Sequence, residues 1–273
     1  MVASFLSLSF ILFISIALAI LGLLLVRHYV DHQTLNSHHD VAGYLLSIVG
    51  TLYAVVLGLI VVGSLNTFDK ARITVASEAN ALHNIFHLAQ GLPSPTGEQL
   101  RSDCVIYAKT MIDDEWKSME YGKSSQQAHA IIAAIWKMVI HFQPHNQDET
   151  DLHSSILAEL NVLANNRHLR LTAAEPAYDW IIWSILIFGG VVLVVFTYFF
   201  GVEKLAVQIL MTVLVTIALA LNLFIVALFG YPYSGDVKVA PTPFEEDLYR
   251  FHQELKESNS ENPAAKSPEV VKP

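Results

Sequence analysis

Cysteine occurs once in 273 residues, at Cys104. That excludes an internal disulfide framework and any zinc site built on several thiolates. Charge is scarce as well. Asp, Glu, Lys and Arg make up 15% of the chain, where a soluble domain carries about a quarter. The 16 Lys and Arg are outnumbered by 25 Asp and Glu, for a formal net charge of −9. A general nucleic-acid-binding surface is therefore not expected. There is no Walker sequence, no Gly-x-Gly-x-x-Gly and no Gly-x-Ser-x-Gly elbow. Nothing assembles a nucleophile with a base, so the reading is of a protein that is not an enzyme and needs no cofactor. The hairpin dipeptides Asn-Gly and Asp-Gly are missing, and strand alternation is nearly absent.

What is abundant is apolar sequence, at 53%. Four stretches without a charged residue are long enough to cross a bilayer, which takes roughly 20 residues. They are Val2 to Val26, the run between Asp40 and Asp69 (apolar from about Gly43 to Leu65), the run between Asp179 and Glu203, and that between Lys204 and Asp236. The first has no Lys or Arg before it, a core too long for a signal peptide and no small-residue cleavage site, so it reads as a retained span. Residues 66–179 hold nine Lys and Arg, the tail after Tyr231 holds five, and the opposite face holds two, Arg27 and Lys204. Positive charge marks the cytoplasmic side. The expectation is an all-α polytopic membrane protein of the cytoplasmic membrane with both termini inside. Its parts are a first transmembrane hairpin (1–65), a helical cytoplasmic domain (66–179), a second hairpin (180–231) and a cytoplasmic tail (232–273), disordered from Ser258.

The inserted segment reads as helices. Ala71, Val75, Ala79, Leu82, Phe86 and Ala89 recur at steps of three or four and share one face. Gly91 and Pro93 end that helix, and with no earlier proline it is continuous with span two. Thr96 and Gln99 fit a capping box for a second helix through Tyr107 and Met111 to about Met119. A third starts near Ser125, stacks Ile131, Ile135, Met138 and Phe142, and stops at Pro144. A fourth runs from about Asp148 to Leu171.

Several residues stand out chemically. Glu78 falls on the apolar face with Val75, Leu82 and Ile85, and a buried carboxylate needs a partner. Arg167 and Arg170 return to the same membrane surface, so one of them is expected to pair with Glu78 in a structural ion pair. In span two, Gly43, Ser47, Gly50, Ala54 and Gly58 fall on one helical face, where small residues let helices approach. The alternatives are helix packing or the wall of a central pore, to which Thr51 and Tyr53 add polar groups. In span four Gln208, Thr212, Thr216 and Asn222 form a polar stripe, read first as interhelical hydrogen bonding. Trp180 and Trp183 suit an interfacial belt. The 12 histidines include three pairs at i, i+4: His28/His32, His83/His87 and His141/His145. Each pair is half a metal site and lacks a third ligand, so no metal is expected. The outer group of His28, His32, His38 and His39 beside Asp31 and Asp40 reads as a solvated loop. Asp113, Asp114 and Glu115 read as a solvated acidic face.

The order of these features resembles the bestrophin-like family of bacterial membrane proteins, and more distantly the bestrophins. The residues that carry the resemblance are GTLYAVVLGLIVVGSL from Gly50, its continuation NTFDKARITVASEANAL with Ala71, Glu78 and Ala79, the pair Glu115-Trp116, Arg167 and Arg170 before span three, and YPYSGD from Tyr231. The resemblance implies a pentameric anion channel with a pore lined by the second span, here Ser47, Gly50, Thr51, Ala54 and Gly58. The partners it implies are membrane lipid, small inorganic ions and further copies of the chain. Two departures are evident. The cytoplasmic segment carries 14 acidic against nine basic residues, and no acidic calcium clasp is recognisable. A non-conducting scaffold or sensor, whose cytoplasmic helices bind a partner, is the alternative. A histidine-dependent metal or proton transporter is a further one.

Overall fold

The structure, a computed structural model, describes residues 2–30, 39–175, 180–200, 202 and 204–261. His32, His38 and Asp31 of the outer histidine group lie outside them, as does the tail beyond Glu261. All regular elements among the described residues are helical. The chain divides into two units, Met1–Lys70 with Glu175–Lys238, and Ala71–Ala174 with Val239–Pro273.

The membrane unit contains α1 (Val2–Tyr29), the first part of α2 (His39–Leu88), α7 (Trp180–Tyr198) and α8 (Leu205–Phe229). All four are long and apolar enough to cross a membrane. This is a membrane protein. α1 packs on α8 and α7. Gly22 of α1 is needed there, since a Cβ would meet the Tyr198 hydroxyl at 2.7 Å. Arg27 ends α1 by donating to Gln208 Oε1 at 3.1 Å and to the Val202 carbonyl at 3.2 Å. Leu57, Leu186 and Val226 form a small core where α2, α7 and α8 meet.

The polar stripe of α8 works inside this unit. Gln208 donates to the Tyr198 and Phe200 carbonyls, and Thr212 shares a 3.1 Å hydrogen bond with Thr197. Gln208, Thr212 and Thr216 are buried, whereas Asn222 is exposed and bonds its own helix. Trp183 donates to the Tyr231 hydroxyl at 3.1 Å, while Trp180 is exposed.

The second unit starts within α2 and continues through α3 (Thr96–Thr110), a π-helical turn (Met111–Glu115), α4 (Trp116–Met119), α5 (Gln126–His141), α6 (Gln147–Ala173) and α9 (Thr242–Glu261). The predicted face of α2 is buried throughout, from Ala71 to Ala89. A 3-10 turn, Ala89–Gly91, ends it. The Thr96 capping box does not form. Pro95 takes the cap position, and Ser94 Oγ donates to Glu98 instead. Pro95 is itself in the right-handed helical region, and the helix starts without a side-chain cap. At Gly97 a Cβ would lie 2.4 Å from the Ala89 carbonyl oxygen, so only glycine fits.

Ser125 caps α5 through the Ala128 amide, as its position suggested. The buried face of α5 is Ala128, Ile132, Ile135 and Val139, rotated by about one residue from the predicted stack. Asn146 caps α6, accepting from the Glu149 amide while Glu149 accepts from the His145 amide.

α9 is the largest difference from the sequence reading, which saw this region as tail. Phe244 and Phe251 are fully buried, Phe251 stacking on Phe86 at 4.0 Å and Phe244 lying edge-on to Tyr107 and Trp116. Residues 258–261, expected to be disordered, continue that helix.

Candidate functional site

Two features carry chemistry, one in each unit. The first is the membrane part of α2. Only 6% of its most apolar stretch is buried, against 22% in each of the third and fourth spans. The small residues share one face of about 100°, of which one edge is covered. At Gly50 an added Cβ would meet Leu193 of α7 at 3.8 Å, and at Gly43 it would meet Phe200, just beyond α7, at 3.9 Å. Ser47, Thr51, Ala54 and Gly58 are exposed, and nothing lies within 4 Å of a Cβ at Gly58. At 100° per residue these four fall within roughly 60° of one another. Ser47 and Thr51 donate to the carbonyls one turn back, at 2.9 and 2.7 Å. Tyr53 is not on this side. Its ring packs on Gly189 and Gly190, and its hydroxyl donates to the Leu186 carbonyl at 2.8 Å.

The second feature is a charged core in the helical unit. Arg170 makes a two-pronged contact with Glu78, Nε to Oε2 at 2.6 Å and Nη2 to Oε1 at 3.0 Å. Both side chains are fully buried. The Tyr107 hydroxyl donates to Glu78 Oε1 at 2.8 Å. Arg167 does not reach Glu78. It pairs at 3.0 Å with Glu115, which Arg170 also approaches at 3.3 Å. The second Glu115 oxygen accepts from the Ser125 amide at 2.8 Å. The guanidinium of Arg170 sits 5.0 Å above the Trp116 ring and against the sulfurs of Met111 and Met119. Burial alone would weaken the hold of Arg170 on its proton; the adjacent Glu78 more than reverses this, and the pKa is raised. Burial, then Glu78, also holds the Tyr107 hydroxyl well above its usual range. Two acids and two guanidinia thus balance in a site nearly closed to water, where such groups persist only when paired.

The acidic run divides accordingly. Asp113 is exposed, Asp114 bonds the Ser125 hydroxyl, and Glu115 is buried. Glu115 was read as solvated because it sits among acids. Its position four residues after Met111 and four before Met119 puts it on their apolar stripe, the same signal that singled out Glu78. Trp116 ties the core to the start of α9 by donating to the Val239 carbonyl at 2.9 Å.

The Bestrophin-like domain model matches residues 13–244, most of the chain. The chain belongs to the bestrophin-like family. Its fold is similar to that of a bacterial bestrophin homolog from Klebsiella pneumoniae, seen in two crystal structures of mutant forms. Both are 13% identical, with TM-scores of 0.63 and 0.64, and each match covers 91% of this chain and 99% or 98% of the other. A further crystal structure, of a membrane protein mutant, gives a TM-score of 0.63 at 13% identity over 92% of this chain and 98% of that one. No curated protein matches the chain. At these identities the solved structures show a common fold, and the family match places the uncovered span and the Glu78–Arg170 core within that fold.

Proposed function

We propose that this chain is the subunit of an oligomeric ion channel of the cytoplasmic membrane, a pentamer by resemblance, with its pore lined by the second span. The observation that carries this reading is the uncovered side of α2. A span that is only 6% buried in its own subunit, and that presents Ser47, Thr51, Ala54 and Gly58 together, is suited to neighbouring copies around an axis. Small side chains leave room for an ion path, and the hydroxyl oxygens supply polarity without a fixed charge. Gly50 lines the path only at its edge, since it leans on Leu193. The helical unit and both termini lie in the cytoplasm, as the distribution of Lys and Arg argues. The Glu78–Arg170 pair locks α2 to α6, and the Glu115–Arg167 pair ties α6 to the π-helical turn. Anion selectivity rests on resemblance.

The test is the reversal potential of purified protein in planar bilayers under a KCl gradient, combined with single cysteines at positions 47, 54 and 58. Cys104 is fully buried, so the background labelling is low. Current that polar thiol reagents block at these positions supports the pore. Unaltered current at all three, with the labels attached, would rule out this lining.

A further inference from the structure

One cluster serves neither the charged core nor the membrane face. His83 and His87 stand one turn apart on α2, and their Nε2 atoms are 3.0 Å from each other. A straight N–H···N hydrogen bond would hold the ring centroids about 5 Å apart. They stand 4.4 Å apart at an interplanar angle of 66°, so the two nitrogens point toward a common side rather than head-on. The edge of a zinc tetrahedron is about 3.3 Å, close to their separation.

In the sequence alone the pair is half a site. α9 supplies a third ligand. Glu254 Oε1 lies 3.6 Å from the same His87 nitrogen, and its other oxygen accepts from Gln90. Behind His83, Asp247 Oδ1 stands 3.1 Å from Nδ1 but out of line with it, so this buried nitrogen has no hydrogen bond. A small turn of the ring brings Nδ1 into line with that carboxylate, the usual support of a metal-bound imidazole, which fixes its tautomer and orientation. The His83 ring is also held against Phe251. Glu246 and Arg250 are the other charged groups near this cluster on α9, and Arg101 of α3 lies over Phe86. Among the described residues no three such groups are yet drawn around one point. Glu254 has the freedom to close, since its side chain is 30% exposed.

We propose that His83, His87 and Glu254 bind a divalent transition cation of the zinc class, with Asp247 as the positioning residue, and that the cation clasps α9 to α2. Binding displaces the proton between the two Nε2 atoms; it moves to the Nδ1 of its own ring, so both imidazoles stay neutral and both Nε2 lone pairs face the metal.

The experiment uses full-length protein in detergent, without an affinity tag and stripped with a chelator, titrated with ZnCl2 by calorimetry. One saturable site per chain is expected. Zinc should also slow proteolysis between α8 and α9, and magnesium should not compete. H87A and E254Q, whose parent side chains are partly exposed, should fold and weaken binding at least tenfold. D247N should weaken it about 10- to 100-fold. His141→Ala, in the exposed pair elsewhere, should change nothing. The proposal is overturned by the absence of saturable binding, or by binding that H87A and E254Q leave intact.

Discussion

Replacing Arg170 with methionine tests the charged core most directly. The wild-type side chain makes three contacts of 2.6, 3.0 and 3.3 Å to two carboxylates, and it is fully buried with both of them. Methionine fills much of the volume and joins Met111 and Met119, so the loss is electrostatic rather than a cavity. Glu115 keeps Arg167 and the Ser125 amide, whereas Glu78 is left with the Tyr107 hydroxyl alone. Stranding one partner of a buried pair costs about 3–5 kcal/mol. The reporter is Cys104, fully buried in α3 and the one thiol of the chain. Burial raises its pKa, so maleimide reacts when the unit opens and not before. If opening is a pre-equilibrium, the labelling rate should rise about 10²- to 10³-fold or more. The double variant Glu78→Gln with Arg170→Met removes both charges and should recover most of that factor. A single variant that labels less than about fivefold faster, or a double variant in which the two losses simply add, would refute the argument.

Trp116→Phe keeps the ring beneath Arg170 but loses the bond to the Val239 carbonyl, so it should cost about 1 kcal/mol and speed proteolysis ahead of α9 more than elsewhere. Gly189→Val puts a Cβ about where the Tyr53 ring lies, 2.5 Å from it, and should cost about 1–3 kcal/mol, read as a lower melting temperature in detergent. The same change at Gly58, with nothing within 4 Å, should leave a detergent-solubilised single subunit unaffected.

Much of the fold is legible in the residues because the physics is local. Four uncharged runs give four spans, and the steps of three and four from Ala71 to Ala89 give the buried side of α2. Glu78 announces itself by sitting on that stripe. Glu115 obeys the same rule, but its acidic neighbours disguise it, and the π-helical turn from Met111 shifts the phase by which it would be read. α9 was illegible for another reason. Its polar composition outweighs the spacing of Phe244 and Phe251, although Thr242 and Glu245 have the pattern of a helix start. The partners of those phenylalanines, Tyr107, Trp116 and Phe86, are more than 100 residues away in the chain, so no local pattern announces the contact. The third ligand beside His83 and His87 was hidden with it.

The wall of the proposed pore has a chemistry of its own. No Asp, Glu, Lys or Arg lies between Gly43 and Leu65, so a permeating ion meets dipoles there and not counter-charges. Ser47 and Thr51 spend their hydroxyl protons on the carbonyls of Gly43 and Ser47. The oxygen lone pairs are left on the exposed side, and lone pairs solvate cations, whereas an anion needs donors. The wall itself therefore leans toward cations, against the anion selectivity that the resemblance implies. The double variant Ser47→Ala with Thr51→Val removes both oxygens while keeping the helix and nearly the same volume. If these residues face the ion, the reversal potential in a KCl gradient should move toward the chloride limit, with the relative permeability of potassium falling several-fold. An unchanged reversal potential with current intact would remove the two hydroxyls from the path and leave selectivity to its mouths. There the 14 acidic and nine basic residues of the segment between spans two and three are the charges an ion would meet.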